Sequence, residues 1–119
     1  MPVRSLNSSV LKWPDAKTVH EAFLRWAKKA VRKNANIVRV GYFGSYARGN
    51  YGPGSDLDVV IIVDTSDKPF ERRAADWDFS AIPVPVDVLV YTRAEWWNLD
   101  THSRRMARLL KSETVWFDD

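Results

Sequence analysis

The sequence predicts an α+β fold: a small mixed β-sheet with helices packed on it. Three β-rich runs, Ile37 to Phe43, Asp58 to Val63 and Val84 to Tyr91, are strand-length and bounded by Gly, Pro, Asn or charged residues. Amphipathic helical patterns stand before the first run and after the last. Strands and helices alternate without the regular βαβ rhythm of a doubly wound sheet, which favours a small mixed sheet over that architecture.

In chain order, Thr18 and Glu21 have capping-box spacing, and Val19, Ala22, Phe23, Trp26, Ala27, Ala30 and Val31 recur at helical intervals. The opposite face carries Arg25, Lys28, Lys29, Arg32 and Lys33, which reads as a solvated face with cations toward the helix C-terminus. Asn34 to Asn36 end this helix. Ile37 to Phe43 and Asp58 to Val63 are expected to pair, the second being aliphatic enough to be buried on both faces. Gly49, Gly52, Pro53 and Gly54 mark the turn-rich connection between them, with room for a short helical turn over Ser45 to Arg48.

Pro69, followed by Phe70, Ala74 and Trp77, predicts a short covering helix. After the strand Val84 to Tyr91, Thr92 and Glu95 repeat capping-box spacing and open a helix through Trp96 and Trp97. A further helix carries Arg104, Arg105, Arg108 and Lys111 on one side and Met106, Leu109 and Leu110 on the other. Thr114 to Phe117 reads as a last, edge strand.

At 119 residues and 45% hydrophobic content, a single domain over residues 1–119 is expected, large enough for its own core. A net charge of +3 biases the chain only mildly toward anions. The absence of cysteine excludes disulfides and thiolate zinc sites and suits a reducing compartment. No signal-type segment opens the sequence. The aliphatic run Val59 to Val63 falls far short of the ~20 residues of a membrane helix. The expectation is a cytoplasmic protein without membrane contact.

The chemistry concentrates in Gly44 to Val63. Asp56 and Asp58 stand two apart at the start of a strand, so their carboxylates share a face. Repulsion between them raises a pKa or is relieved by a cation, and hard oxygen ligands suit Mg²⁺ or Mn²⁺. Upstream, Gly44 lets backbone N–H groups approach an anion and Ser45 adds a hydroxyl. Asp87 interrupts an otherwise aliphatic strand, where a charge is costly unless paired or metal-bound. Arg48 can reach a phosphate or equally fasten the loop through a salt bridge. Ser55 reads as a turn hydroxyl, and neither His20 nor His102 has a second ligand at zinc spacing.

The series Gly44-Ser45, ten residues, Asp56-Leu57-Asp58, then Asp87 in a later strand resembles the minimal nucleotidyltransferases of the DNA polymerase beta-like superfamily. The resemblance covers about Ile37 to Tyr91 and implies a polymerase beta palm-like nucleotidyltransferase fold. It implies transfer of a nucleoside monophosphate, AMP from ATP, to an acceptor hydroxyl with pyrophosphate leaving. Asp56 and Asp58 would bridge two Mg²⁺ ions roughly 3.5 to 4 Å apart. Asp87 would complete one ion's ligands and help the acceptor lose its proton, while Gly44, Ser45 and Arg48 would hold phosphates.

Larger relatives carry an added acceptor-binding domain for which 119 residues leave no room, so the acceptor is expected on a partner. Minimal members commonly pair with a HEPN protein as the antitoxin of a toxin–antitoxin module, and some adenylylate a tyrosine of that toxin. The leading expectation is therefore an antitoxin that transfers AMP to its HEPN-type partner. The alternative is an inactive copy that neutralises its partner by binding, with Trp96, Trp97 and Trp116 as an aromatic contact surface or as core. An RNA-directed enzyme using the Arg104 to Lys111 face is a lesser alternative, and exposed sheet edges would suit pairing of two copies.

Overall fold

A computed structural model describes residues 13–118. Most of the N-terminal stretch, where no signal-type segment is expected, lies outside the described residues. The elements are α1 (Ala16–Lys33), β1 (Ile37–Phe43), α2 (Ser45–Arg48), β2 (Leu57–Val63), a 3₁₀ segment (Phe70–Asp76), β3 (Val86–Thr92), α3 (Arg93–Trp97), α4 (Leu99–His102), α5 (Arg104–Glu113) and β4 (Val115–Trp116). They form one four-stranded mixed sheet in the order β3-β2-β1-β4, as the α+β expectation requires.

Helix α1 starts earlier than the Thr18 and Glu21 spacing predicts. Its N-cap is Asp15, whose carboxylate accepts from the Thr18 N–H at 2.8 Å, so Thr18 lies inside the first turn. Asp15 is the better cap because an anion also complements the helix N-terminus. At the other end the Asn34 N–H bonds to Ala30 O and stops the helix. Val19, Ala22, Phe23, Trp26 and Ala27 are buried against the sheet, while Arg25, Lys28, Lys29, Arg32 and Lys33 stay in solvent.

Strand β2 is central and buried along nearly its whole length. Its period of two sends alternate residues to opposite faces. Leu57, Val59, Ile61 and Val63 pack with Phe23, Trp26 and Val40 under α1. Val60 faces the other way, into a second core of Tyr91, Leu99, Ala107 and Leu110. Two helical layers therefore cover the sheet. Each fully buried Val, Leu or Ile contributes about 1.5–3 kcal/mol, so both layers are needed to hold β2 in place.

Strand β1 runs antiparallel to β2, with Phe43 opposite Asp58, and antiparallel to β4, with Gly41 opposite Trp116. Gly41 is required there: a Cβ would come within 2.6 Å of Thr114 Cγ2 and 2.7 Å of Val115 O. Strand β3 runs parallel to β2, with Asp58 opposite Asp87. It begins at Val86, later than the predicted Val84, because Pro85 has no N–H for the ladder; its carbonyl instead accepts from Leu57 N at 2.9 Å.

The expected covering helix is a 3₁₀ segment with Pro69 at its N-cap. Arg73 turns inward from it, 6% exposed, and donates to Lys68 O, Val90 O and the Glu95 carboxylate. Glu95 is also the acidic member of the predicted capping box with Thr92, so Arg73 ties the 3₁₀ segment to β3 and α3. Ser103 caps α5 through Met106 N. The edge strand shortens to Val115–Trp116. No helix among the described residues is long and apolar enough to cross a membrane.

Candidate active site

The C-terminal end of β1 and the N-terminal ends of β2 and β3 lie at one rim of the sheet. Asp58 shares the face of Val60, the side covered by α5, and is half-buried because the sheet surrounds its backbone. Asp87 stands beside it on β3, where adjacent strands run about 4.8 Å apart. Asp56 precedes β2 and is exposed. Burial pushes the Asp58 carboxyl above the ordinary range, and the negative charges of Asp87, Asp56 and Glu113 push it further, against the pull of Arg48. None of the three aspartates has an ion-pair partner among the described residues.

Across the rim, Gly44 adopts φ +80° and ψ −151°, a conformation essentially restricted to glycine. A Cβ at this position would overlap Asp58 Oδ2. The missing side chain is what lets the turn lie against the carboxylate. Gly44 N–H is already committed, donating to Glu113 Oε2 at 2.8 Å. The groups left for an anion are the Ser45 hydroxyl, which has no hydrogen bond among the described residues, and the first N–H groups of α2, which lack intrahelical acceptors.

The turn is fastened from below. Tyr46 is buried, stacks on Tyr51 at 4.7 Å between centroids and accepts from the Trp13 indole N–H at 2.9 Å. The Tyr51 hydroxyl accepts from Ala16 N at the start of α1. Arg48 donates to both Glu113 oxygens, at 3.0 and 3.2 Å, so the guanidinium has a carboxylate partner within the chain.

The fold thus brings Asp56, Asp58, Asp87, Gly44 and Ser45 to one rim and holds Arg48 beside them through Glu113. Sequence reasoning missed Glu113, because the last residue of a helix carries no spacing signal toward Gly44, 69 positions away. Ser55 is the turn hydroxyl expected, its Oγ accepting from Gly52 N at 2.8 Å. His20 is bonded to the Tyr42 hydroxyl at 2.8 Å, a structural role. Arg104, Arg105, Arg108, Leu109, Ser112 and Glu113 line an open groove of about 580 Å³.

No group of three or more Asp, Glu, His or Cys side chains among the described residues is placed to hold a metal ion together. The donor set instead fits an open magnesium site. Mg²⁺ is held by one or two carboxylates and completes its octahedron with water and phosphate oxygens. Asp58, with repelling carboxylates beside it and no cationic partner, supplies the negative field that such an ion offsets.

Residues 24–111 match the nucleotidyltransferase domain family. Among solved structures, the chain resembles a protein of Sulfolobus solfataricus provisionally assigned as a nucleotidyltransferase: TM-score 0.58, 20% identity, covering 89% of this chain and 88% of that one. It also resembles a toxin–antitoxin protein crystallised with AMP-PNP: TM-score 0.51, 15% identity, covering 87% of this chain and 72% of that one. At these identities the structural likeness shows the fold. No curated protein sequence matches significantly. The match extends over most of its length, and the chain belongs to the nucleotidyltransferase domain family.

Proposed function

We propose that this protein transfers AMP from ATP to a hydroxyl of a partner protein, as the antitoxin of a pair whose toxin is of the HEPN type. The observation that carries the transfer reading is the in-register pair Asp58 and Asp87 with Gly44 packed against Asp58. A protein acceptor is supported by the toxin–antitoxin neighbour, which was crystallised with an ATP analogue. Acceptor recognition would then fall to that partner.

Two Mg²⁺ ions, or Mn²⁺ in their place, would be shared among Asp56, Asp58 and Asp87, one or two carboxylates to each, and would supply charge neutralisation of the triphosphate and of the developing pyrophosphate. Ser45 and the start of α2 would bind the terminal phosphates, with Gly44 giving them room and Arg48 adding a positive charge at the turn. The acceptor oxygen forms a bond to the α-phosphorus as the bond to the β-bridging oxygen breaks. Asp87 is exposed and able to take the acceptor's proton. Positioning and electrostatics carry the rate, since the chain adds no covalent step.

The test is incubation of the purified protein with α-labelled ATP, Mg²⁺ and the product of the adjacent gene. Label should appear on that product with wild type and be lost with Asp58→Asn. Persistent labelling in the variant rules the mechanism out.

A second reading, neutralisation by binding alone, is favoured by Trp97, which is 81% exposed. Trp96 and Trp116 do not share this exposure: they pack edge-on at 5.6 Å, with Arg39 stacked over Trp116 at 3.8 Å. If Asp56, Asp58 and Asp87 are all changed to Asn and the partner is still neutralised in cells as well as by wild type, the binding reading replaces the first.

A further inference from the structure

We propose that Glu113 is a positioning residue of the nucleotide site, the carboxylate that holds the Gly44 to Arg48 turn in the shape that receives the triphosphate; the inference rests on the nucleotidyl-transfer reading above. Glu113 is the last residue of α5, and its side chain is only 16% exposed whereas that of Arg48 is 46% exposed. Both of its oxygens are used. Oε2 accepts from Gly44 N at 2.8 Å and from Arg48 Nη1 at 3.2 Å, and Oε1 accepts from Arg48 Nη1 at 3.0 Å.

A carboxylate at a helix C-terminus opposes the helix macrodipole, so this placement is unfavourable unless its bonds offset it. They do so by linking the two ends of the turn, the glycine that opens it and the arginine that closes α2. Each is a charge-assisted hydrogen bond, stronger than a neutral one.

Glu113 directly precedes Thr114 and β4, the strand paired with β1 on the side away from β2. It bonds to the Gly44 N–H, whereas the position that a Gly44 Cβ would take is occupied by Asp58. The carboxylate thus holds the turn through the Gly44 N–H, while Asp58 packs against the Gly44 Cα. Gly41 makes the reach possible, since any side chain there would push Thr114 and Val115 outward.

The experiment is calorimetric titration of wild type, Glu113→Gln and Glu113→Ala with a nonhydrolysable ATP analogue in Mg²⁺, with Mn²⁺ binding in the absence of nucleotide followed in parallel by electron paramagnetic resonance. Glu113→Ala should bind the analogue about tenfold more weakly while binding Mn²⁺ alone as wild type does. Glu113→Gln should stay within about threefold of wild type, because the carboxamide oxygen still accepts from Gly44 N–H. Should Glu113→Ala not fold, Glu113→Asp, one methylene too short, takes its place with the same expected loss. Wild-type or tighter analogue binding by the Ala variant overturns the proposal, as does joint loss of Mn²⁺ and analogue binding, which marks general collapse. Wild type that binds neither Mn²⁺ nor the analogue overturns the nucleotidyl-transfer reading itself, and the proposal with it.

Discussion

Asp58 of β2 and Asp87 of β3 are register partners on adjacent parallel strands, with no cation paired to either among the described residues. A sheet ladder fixes this proximity, so the side chains cannot relieve it by moving their backbones apart. The repulsion is present in the folded state and largely absent in the unfolded chain. It is therefore a source of instability that a bound cation or removal of one charge should relieve.

Asp58→Asn should raise the melting temperature of the metal-free protein by roughly 2–5 °C. Wild type should gain stability on addition of Mg²⁺ and the variant should gain much less. Thermal unfolding with chelator and then with excess Mg²⁺ checks both. A variant less stable than wild type in chelator would mean that Asp58 makes a favourable contact outweighing the repulsion.

The pH dependence follows from the same shift. The Asp58 carboxyl is raised in the folded state, so between its ordinary value and its raised one the folded state binds more protons than the unfolded state. Stability from this group is present below the ordinary value and is lost as pH rises through the raised one. The melting-temperature difference between Asp58→Asn and metal-free wild type should be near zero below about pH 3.5 and grow to a plateau toward neutrality. Glu95, held low chiefly by its hydrogen bond to Arg73, acts oppositely and loses its contribution as pH falls; it cancels in this difference.

Gly44→Ala should destabilise the protein by about 2–4 kcal/mol, combining a backbone conformation costly for alanine with overlap on Asp58. Transfer activity should fall at least a hundredfold, because Asp58 must move. Gly49→Ala is the control. Its φ is also positive, +83°, but nothing lies within 4 Å of the added Cβ, so it should cost about 1–2 kcal/mol and retain activity. Denaturant unfolding and labelling rates measure both, and equal effects at the two glycines would show that the Asp58 contact is unimportant.

Arg73→Met should cost about 2–4 kcal/mol, since it strips Val90 O and Glu95 of a buried donor. Nucleotide binding per folded molecule should be unchanged, because Arg73 bonds to Lys68 just before its 3₁₀ segment, to β3 and to α3, and to none of the site residues. Urea unfolding beside nucleotide titration separates the two effects.

The strand Ile37–Phe43, the short helix Ser45–Arg48 and the Thr92 capping box were legible because each depends on neighbours in sequence. The aspartates and the Gly44-Ser45 turn were legible for the same reason: a strand's period of two and a glycine's freedom are local properties. The Asp15 cap was missed because two adjacent capping patterns compete and the sequence does not say which the helix adopts. Arg73 was missed because a lone arginine in a charged segment looks solvated until its acceptors are placed around it.

By itself the sequence determined the inventory of the site: which residues carry carboxylates, where the chain turns, and which strand is apolar enough to hold them. Only the tertiary structure decided that Asp87 stands beside Asp58, that Gly44 packs on Asp58, and that Glu113 rather than a solvent-facing partner holds Arg48. The physical reason is that register and packing are relations between distant segments. They are set by how two cores close on β2 and how near Gly41 lets β4 come.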